Sequence, residues 1–160
     1  MTASTDDLET ISRLIAASKI ALLTTTNSKG QLVSRPLAVQ EAEFDGDVWF
    51  FTQHPSDKTT DIAANDQVNV SFESGKGYLS IAGTAELVSD RVKIDELWST
   101  STEAWFPDGK DESVALIRVQ ADSAEFWSTT DPRPVVLLKV AKAAMTGGQP
   151  DVGDNRTVEL

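Results

Sequence analysis

Residues 47–74, DVWFFTQHPSDKTTDIAANDQVNVSFES, contain the change of pattern that decides how the rest of the chain is read. DVWFFT is dense in aromatic and β-branched residues, the composition of a strand. Pro55 then ends the extended run. Ser56 stands where an N-cap would, and Ile62 and Ala63 fall on one side of a short helix ending near Asn65. QVNVSFE resumes period-two alternation at once. A strand that runs straight into a capped helix start presents free backbone N–H groups to an anion, and here Ser56 adds a hydroxyl and Lys58 a positive charge. Taken alone, an S-x-K triplet is more simply an N-cap serine followed by a solvated lysine.

Upstream, IALLTTT (20–26), the turn residues NSKG and the extended QLVSRPLAV read as a hairpin. Arg35 lies within its second strand, where an arginine is costly unless its head reaches water or a partner. Pro36 beside it marks an edge or irregular position. A strand-end arginine snorkelling to solvent explains Arg35 by itself; a bidentate contact that closes the anion site is the alternative. Before the hairpin, Leu8, Ile11, Leu14 and Ile15 fall at helical spacing over Asp7–Ala17, with Asp6 and Asp7 available to cap the start.

Downstream, GKGYLSIAGTAELVS predicts a long strand with a bend or bulge at Gly83, and Asp90 caps a helix whose apolar face is Ile94, Leu97 and Trp98. STSTEAWFPDGKDE has the Pro and Gly of a surface loop. It also carries Trp105 and Phe106; large aromatics in a loop point to packing onto a partner, a ligand ring or a neighbouring subunit, with packing into the core as the alternative. Strands follow at SVALIRVQ and, after a turn at Ala121-Asp122, at AEFWS; Trp98 and Trp127, in periodic segments, are expected in the core. VVLLKVAKAAM suits a strand or a helix; its length and alanine content favour a closing helix that stops at Gly147-Gly148, and the polar tail from about residue 148 to 160 is expected to be peripheral. Antiparallel β dominates, so the architecture expected is a small closed or partly open barrel.

The 160 residues suit one domain, 1–160, and 40% hydrophobic with 24% charged residues places the chain among packed globular proteins. A net charge of −11 disfavours non-specific binding to nucleic acid or anionic lipid, so the few cations become informative. With no cysteine, disulfides, thiolate metal sites and thiol nucleophiles are excluded. His54 is the only histidine, and as a lone loop residue it carries little weight as an acid or base. The carboxylates Glu41, Glu43, Asp45 and Asp47 cluster at turns without metal-ligand spacing. The sequence has neither a leader pattern nor a run of about 20 apolar residues, which predicts a soluble, cytoplasmic protein.

SRPLAV, DVWFFTQHPSDKTTDI, NVSFES, YLSIAGTAELVSDRVKIDELW, AWFPDGKDE, AEFW and GDNRTVEL, in that order and spacing, resemble the pyridoxamine 5'-phosphate oxidase-like FMN-binding split barrels, most closely their general stress protein branch. The resemblance implies a mainly β fold, a six-stranded antiparallel split barrel with helices, and a homodimer with FMN at each subunit interface. Residue by residue, Arg35, with Pro36 beside it, matches the strand arginine on the FMN phosphate. Ser56 and Lys58 match the serine and lysine of the phosphate loop. Phe51 and Thr52 match the strand positions along the isoalloxazine, and Trp105 looks like a partner-subunit contact near the flavin.

Asp57 stands where the oxidases have an arginine between the serine and lysine of the phosphate loop, and Gln40 where they have a lysine near the end of the arginine strand. No equivalent of the basic residues that grip pyridoxamine phosphate is found, so vitamin oxidation is not expected. What remains is a flavin-dependent oxidoreductase of unnamed substrate, a non-catalytic flavin-storage protein of the stress response, or a split barrel that takes a deazaflavin or pyridoxal phosphate instead.

Overall fold

A computed structural model describes residues 1–128, 133–148 and 154–160. The chain begins with α1 (Thr5–Ala17), β1 (Ile20–Thr26), β2 (Leu32–Ala38) and β3 (Asp47–Gln53). It continues through α2 (Asp57–Ala64), β4 (Gln67–Ser74), β5 (Gly77–Val88), α3 (Arg91–Leu97) and α4 (Thr100–Glu103), and then β6 (Val114–Ser128), α5 (Arg133–Thr146) and β7 (Asp154–Glu159). The strands form one antiparallel sheet in the order β2-β1-β4-β5-β6-β3, and β7 adds to β6. β2 and β3, the two ends of that path, approach each other without a ladder between them. The barrel is therefore split along that seam rather than closed.

Alternation explains the curl of the sheet. The inward residues Ala21, Leu23, Phe50, Val68, Val70, Phe72, Leu79, Ile81, Ile117 and Val119 make one core with Ile11, Leu14 and Ile15 of α1. A second, smaller cluster forms outside β3, where Phe51, Val114 and Leu116 meet Ile94 of α3.

Four expectations are corrected. The sheet has seven strands rather than six, because part of the polar tail is built into it: Val158 is fully buried, and Arg156 Nη1 donates to Asp7 Oδ1 at 2.8 Å. Asp7 in turn does not begin α1. Ser4 is the N-cap, and the Asp7 carboxylate completes a capping box with it. Finally, no turn interrupts β6 at Ala121-Asp122. β5 pairs with β6 along its whole length, and the register shifts where Ala82 and Gly83 face Ser123 and Ala121, which leaves Asp122 as the extra residue of a bulge. Trp127, too, lies 40% exposed on the outer face, opposite Tyr78.

The bulge at Gly83 is the one the sequence predicts, and there the strands approach too closely for a side chain. A Cβ on Gly83 would run into the carbonyl oxygen of Gln120. Gly83→Ala is expected to destabilise the fold by roughly 1–3 kcal/mol, the scale of overpacking, as a lower urea midpoint at unchanged slope. An unaltered midpoint would show that the strands separate freely there.

A cationic cradle at the barrel seam

The Asp47–Gln53 strand delivers the chain to the seam, and a cis His54-Pro55 bond turns it into α2. Ser56 caps that helix as expected. Its Oγ accepts from Thr59 N–H at 3.4 Å, while Thr59 Oγ1 accepts from Ser56 N–H at 2.9 Å. The Ser56 O–H donates in turn to Thr59 Oγ1 at 3.4 Å, a long contact that a better-placed acceptor can replace. The N–H groups of Asp57 and Lys58, in the first turn, have no acceptor within the helix.

Arg35 reaches the same place from β2. Its Nη1 donates to Thr25 Oγ1 at 2.8 Å and its Nη2 to Asp61 Oδ2 at 3.1 Å. Lys58 Nζ donates to Thr52 Oγ1 at 3.1 Å and joins no ion pair among the described residues. Burial, and after it the charge of Arg35, hold the Lys58 ammonium below its ordinary value, while Asp57 pulls in the opposite direction. Two half-buried cations thus stand close enough to repel each other.

Of the residues expected at the site, Arg35, Thr52, Ser56 and Lys58 converge on this cradle. Pro36 is exposed on β2, in register with Leu22. Phe51 points to the other face of β3, where its ring packs edge-on to Trp98 at 5.5 Å and against Phe106 at 6.1 Å. The Thr52 hydroxyl is engaged by Lys58 and donates to Gln53 O, so what β3 offers a ligand along the seam is the backbone of its unladdered edge. Trp105 follows α4 and is 65% exposed, with no aromatic partner among the described residues. Its segment is tied to the end of β2 by Thr102 Oγ1, which donates to Gln40 Oε1 at 3.4 Å.

Sequence reasoning missed Thr25 and Asp61. Both are buried polar residues that hold the Arg35 fork, and Thr25 Oγ1 also donates to Asp61 Oδ2 at 3.3 Å. The signal was available in Thr25, a hydroxyl at an inward position of an alternating strand. His54 has a partner after all, with Nδ1 lying 3.1 Å from Thr59 Oγ1. No group of three or more metal-ligating side chains forms among the described residues, and no helix there is long and apolar enough to cross a membrane.

The family model described as pyridoxamine 5'-phosphate oxidase like matches residues 6–151. The chain is 30% identical to protein bli-3 of Neurospora crassa over 92% of its own length and 77% of that protein's. Among solved structures it is similar to a general stress protein 26 from Jannaschia sp. CCS1, at 27% identity and a TM-score of 0.79 over 98% of this chain and all of that one. It is also similar to a general stress FMN/FAD binding protein from Xanthomonas citri, at 25% identity and a TM-score of 0.65, covering 78% of this chain and 89% of that one.

Proposed function

Because the chain belongs to the pyridoxamine 5'-phosphate oxidase like family, we propose that it holds FMN by its phosphate in the seam cradle and acts as a flavin-dependent oxidoreductase. The observation that carries this reading is the pair of half-buried cations, Arg35 and Lys58, of which Lys58 joins no ion pair among the described residues. Asp61 already pairs with Arg35, which leaves Lys58 as the cation without an ion pair among the described residues, and a phosphate monoester fits: Arg35 offers the remaining donors of a planar fork, Lys58 a point charge, Ser56 a hydroxyl, and the first turn of α2 its free N–H groups. Bound flavin supplies hydride or electron transfer. The protein's part is to fix the phosphate and to align the ring with the free edge of β3 at Phe51 and Thr52.

A homodimer fits the same reading. Trp105 is exposed on a tethered loop and available to a second subunit's flavin.

A non-catalytic flavin carrier is the second reading. It is favoured by the position of the only imidazole, which is engaged with Thr59 at the helix cap and not at Phe51 or Thr52. Purified protein is expected to be yellow, to release FMN identifiable by mass, and to show bleaching of the bound flavin by a reduced nicotinamide. Turnover with an electron acceptor separates enzyme from carrier. A colourless protein that leaves added FMN fluorescence unchanged would remove both readings.

A further inference from the structure

Asp61 gives the cradle a property that its two cations alone would not have. The elements packed around it carry few charged groups. β1 carries none, β2 only Arg35, and α2 Asp57, Lys58 and Asp61. Asp47 of β3 and Glu86 of β5 are both held by Arg118. His54 sits at the helix cap. Two cations and two carboxylates leave the cradle without net charge, and the carboxylate in direct contact with Arg35 is the buried one.

From this balance, and resting on the reading of the cradle as a phosphate site, we propose that Asp61 is a specificity-determining residue that makes the site take its phosphate as a monoanion. The ligand class is a singly charged flavin phosphate, either a protonated monoester or a diester. A dianion brings a second negative charge that no unpaired cation offsets, next to the buried carboxylate of Asp61. A monoanion brings one charge, shared by Lys58 and the fork of Arg35. A protonated monoester also brings a P–O–H donor. Asp61 has an acceptor for it, because Oδ2 takes both protein hydrogen bonds while Oδ1 takes none among the described residues and is not sealed from solvent.

The test titrates the full chain, stripped of flavin, with FMN, riboflavin and riboflavin 4',5'-cyclic phosphate, a flavin diester with one charge throughout the range, by flavin fluorescence from pH 5.5 to 8. The second ionisation of a phosphate monoester lies near about pH 6, so FMN affinity is expected to fall at least about fivefold between pH 6 and pH 8 while the diester's stays level. His54→Gln should keep the fall, and Asp61→Asn should flatten or reverse it. FMN affinity that is constant or rises with pH would overturn the proposal. So would a parallel fall for the diester, loss of the fall in His54→Gln, or an unchanged slope in folded Asp61→Asn. If neither phosphate binds more tightly than riboflavin, it is the phosphate-site reading that fails.

Discussion

Lys58→Ala is expected to weaken FMN binding by roughly 10- to 150-fold, the 1.5–3 kcal/mol of a hydrogen bond to a charged group, while leaving the flavin-free protein at least as stable as before. The two halves of this expectation have one cause. Burial and Arg35 disfavour the ammonium in the folded chain, so its folded pKa lies below the ordinary 10.5. The unfolded chain binds that proton more readily, and the charged lysine therefore opposes folding at neutral pH. The penalty is fully present below the folded pKa and fades as pH rises toward 10.5. A bound phosphate reverses the balance.

Arg35→Ala should cost similar affinity but behave differently without ligand, because it strands Asp61, whose side chain is only 11% exposed, with Thr25 as its remaining partner. Fluorescence titration and thermal melts of both variants, with and without FMN, give the four quantities needed. Affinity unchanged in both variants would dispose of the cradle as the phosphate site.

The contrast between these residues follows what was legible in the sequence. Ser56 and Lys58 could be read locally, because a strand ending at a capped helix is a short-range pattern. Arg35 could be placed only by resemblance: its partners Thr25 and Asp61 lie 10 and 26 residues away, and nothing local says that the seam brings them together. The strands announced themselves by alternation, and the bulge by a glycine. The turn read at Ala121-Asp122 was the same bulge seen from the other strand. The tail misled because DNRTVEL is polar at all but two positions, and its strand is defined by the edge of β6 that it covers rather than by its own composition.

Deleting residues 154–160 is expected to cost several kcal/mol of the roughly 5–15 kcal/mol that holds a domain of this kind folded. The deletion uncovers Val158, which is fully buried, leaves Ser123–Ser128 of β6 without a partner on that edge, and removes the arginine held by the buried Asp7. Val158→Asp should reproduce much of the loss with the backbone intact, by placing an unpaired carboxylate in the core. A fall in Tm of many degrees in both chains is the expected readout. A melt unchanged in either would return the tail to the periphery.

β6 is bordered along one edge by β5 and along the other first by β3 and then, beyond the bulge, by β7. The second edge is therefore complete only once a strand from the first third of the chain and one from its far end have both found it. Each meeting closes a long loop of chain ahead of any reward in contacts. The bulge that lets one strand serve two partners thus sets the tempo of folding as well as the shape of the barrel. Its pairing is of the non-local kind that slows folding and leaves unpaired edges open to other chains until late in the search.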